Sequence, residues 1–409
     1  MKHLLSTMLF VFMLTIVAAA APADEGVAVF KLKPEYRNML QKTTQRMGIS
    51  SLDARLEALK VQGIEPLYGI KSARFAASEL ALLYKVSSSL PAQAVVNLLS
   101  QDPHLAYAEV IYPDLALAMP NDPDYPASLY FAALEAEAAW DIHKGEEGAG
   151  VIMAVVDTGC RWTHAELAEN IWNNLGEDSD HDGQTVVYNG SAWVLDSGDL
   201  NGLDDDSNGY IDDLIGWDFY DDATLGEDYN PYEASGHGTN VSGIAASRTN
   251  NALGTASLSW NLKLMPISSG SGSYIYKGYE GIIYAAENGA KVINCSWGSA
   301  AYSQAAQDVI DYAAGLGAVI VAAAGNSNNQ VPLYPSAYRG VISTAALQND
   351  GVKYSGSSYG AYVDVGAPSI AIGTIGGLVN GATSYASPIS TALAGLVRSY
   401  YPALNPEQV

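Results

Sequence analysis

Cysteine, basic side chains and long apolar runs are all scarce in this chain. Only two cysteines, Cys160 and Cys295, occur among the 409 residues, which excludes a disulfide-rich scaffold. The sequence leaves open whether they form one disulfide, and we expect two buried thiols. The 20 basic residues face 44 acidic ones, and the net charge is −24. So acidic a chain lacks the basic footprint that a nucleic-acid partner requires, whereas its charge suits cation binding or a salty medium.

A single long apolar run lies at the N-terminus. Lys2 and His3 precede the run Leu4–Val17, and the small residues Ala21–Ala23 (APA) follow it. This order is typical of a secretory signal peptide and predicts one over residues 1–23. The run is too short to span a bilayer comfortably, so a transmembrane anchor is the weaker alternative. We expect a secreted protein with no membrane anchor.

Hydrophobic periodicity predicts a small α+β domain over residues 24–118. Its segments follow the order β-α-β-β-α-β, the split-βαβ or ferredoxin-like arrangement. The predicted strands are Val27–Leu32, Ile64–Ile70, Leu80–Val86 and Ala106–Tyr112, and the predicted helices are Ser51–Lys60 and Pro91–Ser100. The proline-punctuated stretch 112–126 (YPDLALAMPNDPDYP) reads as the linker that ends this domain.

Residues 119–409 have a different pattern, in which short apolar runs alternate with helices rich in small residues. The predicted strands are Val151–Val156, Leu262–Pro266, Lys291–Cys295 and Ala318–Ala323, and the predicted helices are Tyr274–Asn288 and Tyr302–Leu316. This alternation indicates an α/β domain with a doubly wound, mostly parallel sheet, whose functional site belongs at the carboxyl ends of the strands. A long acidic insertion, about 173–213, interrupts it.

Three polar residues stand where such a site is expected. Asp157 ends the first buried strand, His237 lies between two glycines at a helix start, and Ser384 begins the last helix. Each alone has a structural explanation, because a strand-end carboxylate, a glycine-flanked histidine and a serine N-cap are all common. Together they occur in the order Asp, His, Ser, which is the order of subtilisin.

The segments VIMAVVDTG, SGHGTNVSGIAA and ATSYASP resemble the subtilisin-like serine proteases (subtilases), and AAAGNSNN adds a fourth family element. The resemblance implies that Ser384 attacks the peptide carbonyl, that His237 moves its proton and that Asp157 orients the imidazole. It also implies that the Asn326 amide and the Ser384 backbone N–H form the oxyanion hole. Polypeptides are then the substrates.

Two further segments resemble the family's substrate walls. The segment SSGSGSY carries Gly270, Ser271 and Gly272, an edge that would pair with an extended substrate. The segment NCSWGS forms the opposite wall, with candidate residues Ser296, Trp297 and Gly298 beside the pocket that precedes the scissile bond. The alternative is that both are plain glycine-rich loops.

The first domain resembles a subtilase propeptide, above all at 102–114 (DPHLAYAEVIYPD). The resemblance implies that the chain's own propeptide is an intramolecular inhibitor, removed by a cut between Asp114 and Asn121. A separate binding domain is the alternative. The segment GSSYG (356–360) fits the G-x-S-x-G elbow of esterases, but a strand rather than a helix is predicted after it, so Ser358 is interpreted as a turn residue.

Clustered carboxylates in the insertion predict calcium. Two loops place acidic or amide oxygens at alternate positions before a glycine, as in the first half of many Ca²⁺ loops. The candidate ligands are Asp178, Asp180 and Asp182 in the first loop and Asp204, Asp206, Asn208 and Asp212 in the second. Neither loop is an EF-hand, because Asn189 and Ile215 stand where the bidentate Glu would be. A solvated acidic loop is the alternative; by resemblance, Asp122 and Asn251 are weaker ligand candidates.

Three departures from the family pattern stand out. Ala382 replaces a glycine, which would strain the backbone if that position needs a positive φ. Tyr385 replaces the usual methionine. The chain ends at Val409, before a family member would normally finish its last helix and strands, so we expect a domain truncated at its C-terminus. Two rival hypotheses remain, an inactive pseudo-protease that binds peptides and a calcium-dependent adhesion module.

Overall fold

A computed structural model describes residues 27–40, 43–111, 119–145, 150–220, 226–233 and 236–409. The chain divides into two compact units between Ala116 and Leu117. The predicted signal peptide, and the predicted cleavage segment up to residue 118, lie outside the described residues. Within the described ranges, no helix is both long and apolar enough to cross a membrane.

The first unit is a four-stranded antiparallel sheet with helices packed on it. Its strands are β1 (Val27–Leu32), β2 (Val61–Pro66), β3 (Leu83–Ser88) and β4 (Leu105–Ile111), and its helices are α1 (Ser50–Ala58), α2 (Ala73–Ala77) and α3 (Ala92–Leu99). The strand order is β2-β3-β1-β4. Phe30 and Leu32 of the central strand are fully buried against Leu52 of α1 and Leu99 of α3. The elements follow the predicted order, with the short helix α2 added between β2 and β3.

The second unit contains the remaining elements. Its strands are β5 (Ile152–Asp157), β6 (Val186–Tyr188), β7 (Trp193–Leu195), β8 (Trp217–Asp218), β9 (Lys263–Ser268), β10 (Gly270–Ser271), β11 (Tyr274–Ile275), β12 (Val292–Cys295), β13 (Val319–Ala323), β14 (Val341–Leu347), β15 (Val365–Pro368), β16 (Ile372–Thr374) and β17 (Gly377–Val379). Its helices are α4 (Tyr130–Ala133), α5 (Ala136–Trp140), α6 (His237–Ala246), α7 (Gly278–Glu287), α8 (Gln304–Gly315) and α9 (Thr383–Tyr400).

A seven-stranded sheet organises this unit, in the order β15-β14-β13-β12-β5-β9-β8. Every pair in it is parallel. Parallel sheets are covered on both faces, and β5 illustrates this. Met153 and Val155 share one buried cluster with residues of α6 and α9, whereas Ala154 and Val156 share another with residues of α7 and α8. The predicted doubly wound α/β fold is confirmed.

The helix predicted over Tyr274–Asn288 is wrong at its start, since α7 begins at Gly278. Tyr274 belongs instead to β11, which forms a hairpin with β10. Gly272 turns the chain there with a φ of +58°, a conformation that glycine adopts without cost. The apolar pattern of α7 extends back over the hairpin, so periodicity alone could not locate this boundary.

Candidate active site

Asp157 ends strand β5 at the carboxyl edge of the sheet, where it is 1% exposed. Burying a carboxylate is costly unless polar partners surround it. Its Oδ1 accepts a hydrogen bond of 2.9 Å from the backbone N–H of Thr158. Nδ1 of His237 lies 2.8 Å from Oδ1 and 3.1 Å from Oδ2. The structure therefore brings the first two predicted catalytic residues into contact.

His237 is the first residue of α6, and small neighbours let this helix begin close to β5. A Cβ atom on Gly238 would lie 2.1 Å from the carbonyl oxygen of Gly159. A Cβ atom on Gly236 would lie 2.1 Å from Oε1 of Glu233. At 238 the close atom is backbone, so a larger residue there would force the start of α6 away from the strand, whereas at 236 it is the end of the flexible Glu233 side chain.

The carboxylates of Asp157 and Glu233 favour the protonated form of His237. Burial of the ring lowers the pKa of His237, but the charge and hydrogen bond of Asp157 and the charge of Glu233 outweigh it, so that the pKa is raised above its usual value. Because Nδ1 faces the carboxylate, Nε2 is the nitrogen that can act as a base. The sequence did not predict Glu233, although it precedes the histidine closely in the chain.

Ser384 lies in the first turn of α9 and is 8% exposed. Its Oγ donates a hydrogen bond of 3.1 Å to the carbonyl oxygen of Ser296, whose own hydroxyl donates to the carbonyl of Ser384 at 2.9 Å. The next residue, Tyr385, stacks its ring on that of His237, with centroids 6.4 Å apart and planes 29° apart. The start of α9 thus lies against the Asp157–His237 pair.

A buried amide fixes α9 to the end of β12. Asn294 accepts hydrogen bonds from the hydroxyls of Ser387 at 2.7 Å and Thr391 at 3.1 Å. Its Nδ2 donates to Oγ of Ser296 at 2.9 Å. This network was not predicted, because no local pattern connects a strand end with a helix about 90 residues later.

Ala382 is not strained. It precedes α9 with φ −151° and ψ 149°, an extended conformation that any residue adopts. The positive φ of this segment, +72°, belongs to Gly381. The prediction that Ala382 could strain the backbone is therefore wrong. The backbone at this position gives no reason to regard the site as inactive.

Asn326 follows strand β13, and its side chain is oriented by Thr383. Its Oδ1 accepts hydrogen bonds from the backbone N–H of Thr383 at 2.8 Å and from the hydroxyl of the same residue at 3.0 Å. That hydroxyl accepts in turn from the backbone N–H of Gly325 at 3.1 Å. With Oδ1 engaged, the Asn326 amide has its NH₂ group to offer to a substrate oxygen.

The two predicted substrate walls adopt different structures. Gly270 and Ser271 form β10 and pair with β11, while Gly272 occupies the turn between them. In the other segment, Nε1 of Trp297 donates to the carbonyl of Val156 at 2.8 Å. The indole also approaches the start of α7, because a Cβ atom on Gly278 would lie 2.4 Å from it.

Gly298 is confined as well, since a Cβ atom there would lie 2.7 Å from the side chain of Leu333. Ser358, the serine of the esterase-like motif, is 2% exposed, and strand β15 rather than a helix follows it. The segment therefore lacks the strand, sharp turn and helix of an esterase elbow, as expected, although Ser358 itself lies in irregular chain just after a turn at 355–356.

The first acidic loop assembles with a residue that the sequence did not predict. One oxygen each of Asp178, Asp180 and Asp199 lie within 4.8 Å of one another, and Asp180 also groups with Asp182 and Asp196. Asp199 is fully buried, and its Oδ2 has no hydrogen-bond partner among the residues that the structure describes. An unpartnered buried carboxylate oxygen fits a site that takes a cation.

In the second loop, one predicted ligand joins an acidic group within the described residues. Asp206 gathers with Glu177 and Asp213. Asp204 instead accepts hydrogen bonds from the backbone N–H groups of 208 and 209, and Asp212 from those of 201 and 202. Of the predicted carboxylate ligands of this loop, Asp206 thus joins an acidic cluster, whereas Asp204 and Asp212 stabilise local turns.

A third acidic site involves the weaker ligand candidates. Asp122 is 2% exposed and accepts hydrogen bonds from the backbone N–H groups of Asn250 at 2.7 Å and Asn251 at 3.1 Å. The side-chain NH₂ of Asn251 donates to Glu166 at 3.3 Å. Burial raises the pKa of both Asp122 and Glu166, and their negative charges lie close enough to interact.

Both cysteines are buried free thiols, as predicted. Burial raises the pKa of Cys160 to about 12 and that of Cys295 further still. Neither is a thiolate at neutral pH, so neither is a nucleophile of this site.

Comparison with known proteins shows which family the chain belongs to. Residues 148–409 match the subtilase family. The chain belongs to the subtilase family of serine endopeptidases. This subtilase is 33% identical over 316 residues to a thermophilic serine proteinase of a Bacillus species, an alignment that covers 75% of this chain and 66% of that protein. It is 34% identical over 291 residues to thermitase of Thermoactinomyces vulgaris, covering 68% of this chain and 85% of thermitase.

A solved structure of a protease from Pseudoalteromonas arctica superposes on this subtilase with a TM-score of 0.55 at 25% identity, covering 71% of this chain and 90% of that one. More distant relatives from Natrialba magadii and Dichelobacter nodosus are named as extracellular proteases; the chain spans 51% and 60% of their lengths.

Proposed function

We propose that this subtilase hydrolyses peptide bonds with Ser384 as nucleophile, His237 as general base and Asp157 as the residue that orients His237. The observation that carries the proposal is the 2.8 Å contact between Nδ1 of His237 and Asp157, beside the helix whose first turn holds Ser384. A buried carboxylate that holds one imidazole nitrogen leaves the other free to exchange a proton with a substrate-facing hydroxyl.

The reaction begins when the hydroxyl of Ser384 turns from the Ser296 carbonyl toward Nε2 of His237. The oxygen attacks the peptide carbonyl while His237 takes its proton. The C–N bond then breaks, His237 returns the proton to the leaving amine, and an acyl-enzyme remains on Ser384. Water, deprotonated by the same histidine, releases the acid product. Throughout, Asp157 stabilises the imidazolium.

The negative charge on the tetrahedral intermediate is held by the NH₂ of Asn326 and the backbone N–H of Ser384. The hydrogen bonds from Thr383 to Oδ1 of Asn326 fix the amide in advance, so that little reorganisation is needed in the transition state.

The substrates are polypeptides in extended conformation, held between the segment Gly270–Gly272 and the segment Ser296–Gly298. Backbone pairing gives affinity with little demand on sequence. Broad specificity follows, with Trp297 limiting the residue that precedes the scissile bond.

The protein is exported through its N-terminal signal and inhibited by its own first unit until that unit is cut away near residue 118. Support for export comes from the A-x-A motif and from relatives named as extracellular proteases. Support for inhibition is the resemblance of 102–114 to subtilase propeptides.

Calcium braces the first acidic loop, where Asp178, Asp180 and Asp199 would hold it. The support is the fully buried Asp199, whose Oδ2 has no hydrogen-bond partner in the described part of the chain. A divalent cation would offset the repulsion between these carboxylates and so stabilise the folded loop.

The test is cleavage of an unfolded protein substrate by the secreted chain, beside Ser384→Ala and Ser358→Ala variants. We expect Ser384→Ala to abolish cleavage and Ser358→Ala to retain it in the folded fraction. Cleavage that survives in Ser384→Ala would overturn the proposal. Calcium-dependent binding of peptides without cleavage would favour an adhesion or binding module instead.

A further inference from the structure

We propose that Lys353 is a positioning residue, whose ammonium group holds the loop of Asn326 in the conformation that stabilises the oxyanion. The side chain is partly buried, and its Nζ donates to Oδ1 of Asn328 at 2.9 Å, to the carbonyl of Tyr354 at 3.0 Å and to the carbonyl of Ser357 at 2.9 Å. An ammonium has three N–H donors, so all of them are engaged. The inference rests on the proposed peptidase function and adds to it a residue that does not contact the substrate.

The ammonium of Lys353 is bound by neutral groups. Acidic residues outnumber basic ones by 44 to 20 in this chain, yet among the described residues no ion pair includes Lys353. Its Nζ lies 5.2 Å from the centre of the Tyr359 ring, a cation–π contact. Hydrogen bonds from a charged donor are roughly twice as strong as neutral ones. The lysine therefore gathers neutral oxygens of the chain around one charge, as a bound cation would.

The backbone of Lys353 is anchored to the seven-stranded sheet. It forms a bridge with Leu347, the last residue of β14, and the backbone N–H of Tyr354 donates to the carbonyl of Ala346 at 2.9 Å. Strand β14 pairs with β13, the strand that Asn326 follows. A side chain that starts from a regular element can hold a neighbouring loop more precisely than the exposed residues of that loop can hold themselves.

The loop 325–329 has no regular structure and contains two left-handed residues. Gly325 has a φ of +108° and Asn328 one of +48°, a conformation that asparagine tolerates better than most residues. Three backbone hydrogen bonds connect this loop to the segment 356–359. They run from Asn328 to the carbonyl of Gly356 at 3.0 Å, from Ser358 to that of Gly325 at 2.8 Å, and from Tyr359 to that of Asn329 at 3.0 Å. The ammonium of Lys353 joins the same two parts of the chain through side-chain contacts.

The segment that Lys353 holds also contacts the turn before helix α9. The ring of Tyr354 packs on Gly381, where a Cβ atom would collide with it. Gly381 has a φ of +72° and lies two residues before α9 begins. The segment thus touches both the loop of Asn326 and the start of the helix whose Thr383 binds Oδ1 of that amide. A shift of the segment would change where the NH₂ of Asn326 points.

Steady-state kinetics on one peptide substrate tests the proposal, with kcat referred to the active sites that a fluorophosphonate titrates. Lys353→Met keeps an apolar stem and removes the ammonium. We expect kcat to fall roughly tenfold while KM stays within about twofold, because a misplaced oxyanion donor acts on the transition state. Lys263→Met is the matched control, since it removes an ammonium that donates to the carbonyl of Glu169 at the start of β9, at the opposite edge of the sheet. It should leave both constants unchanged.

A double-mutant cycle with Asn326→Ala separates positioning of the oxyanion donor from a general structural role. If Lys353 acts through Asn326, the loss of kcat caused by Lys353→Met should shrink to less than about twofold in the Asn326→Ala background. Equal losses in the two backgrounds would overturn the proposal, as would a Lys353→Met enzyme with the kcat of the parent chain.

Asn328→Gly covers the case in which Lys353→Met does not fold. Glycine adopts the positive φ of this position and removes the oxygen that the lysine binds. We expect kcat to fall about threefold or more with little change in KM, because one of the three contacts of the ammonium is lost. A kcat equal to that of the parent would contradict the role of Lys353.

Hydrogen exchange adds a measurement that uses no turnover. In Ser384→Ala protein, the further change Lys353→Met should speed exchange in peptides that contain residues 325–329, and unchanged exchange there would also overturn the proposal. A parent chain that cleaves no peptide disproves the peptidase function itself. An active parent whose kcat is insensitive to Lys353→Met and Asn328→Gly disproves only the role of Lys353, so the two failures are distinguishable.

Discussion

The hydroxyl of Thr158 donates a hydrogen bond of 2.9 Å to the carboxylate of Glu233. The backbone N–H of the same threonine donates to Asp157, which binds His237. A second carboxylate is thereby fixed close to the Asp157–His237 pair. Burial raises the pKa of Glu233, and so does the charge of Asp157, whereas the hydrogen bond from Thr158 lowers it.

Glu233→Gln should shift the acidic limb of the pH profile of kcat/KM to lower pH. The negative charge of Glu233 favours the imidazolium and raises the pKa of His237. Without that charge the pKa of His237 falls, so the neutral base is present at lower pH. Glu169→Gln, at the half-exposed partner of Arg248, is the control and should not shift the limb. An unmoved limb, or one at higher pH, would contradict this role.

Asn326→Ala should lower kcat by roughly 100- to 1000-fold with little change in KM, because it removes a donor that acts on the transition state. Thr383→Val should lower kcat less, since it removes one of two hydrogen bonds that orient the Asn326 amide and leaves the donor in place. Steady-state kinetics on one peptide substrate measures both. Equal losses in the two variants would mean that Asn326 does not contact the developing oxyanion.

Gly238→Ala and Gly315→Ala should have opposite effects on stability. A Cβ atom at position 238 would lie 2.1 Å from a backbone oxygen, whereas one at 315, in helix α8, meets nothing within 4 Å. The first change should destabilise the fold by about 1–3 kcal/mol through overpacking, and the second should stabilise it by up to about 1 kcal/mol. Thermal unfolding of Ser384→Ala protein measures both. A neutral Gly238→Ala would show that α6 can move away from β5.

Ala382→Gly should leave kcat/KM within about twofold, because the extended backbone of Ala382 needs no glycine and the substitution relieves no strain. The more flexible glycine should lower stability by a few tenths of a kcal/mol to about 1 kcal/mol. A several-fold increase in kcat/KM would show that alanine does hinder the start of α9.

The sequence predicted those parts of the site that lie at the ends of regular elements. Asp157 closes an apolar strand and His237 opens a helix, so periodicity and topology were enough to place both at one edge of the sheet. Glu233 was not predicted, because its role arises from a contact with Thr158, which is 75 residues away in the chain.

The acidic insertion shows the same limit. Spacing in the chain identified the acidic loops but not how they pack. Asp204 and Asp212 are engaged by backbone N–H groups, whereas Glu177, outside either motif, lies next to Asp206 across 29 residues. Acidic residues at alternate positions in the sequence indicate local turns. Which carboxylates lie next to one another depends on the tertiary fold of the insertion.

Labelling with a fluorophosphonate, followed by mass spectrometry of the modified peptide, tests the central claim most directly. The secreted chain is labelled in calcium beside Ser384→Ala, and the adduct and the mature N-terminus are both located. We expect an adduct on Ser384, none in the Ser384→Ala protein, and an N-terminus near Ala118. A folded, processed chain that carries no adduct on Ser384 would contradict it.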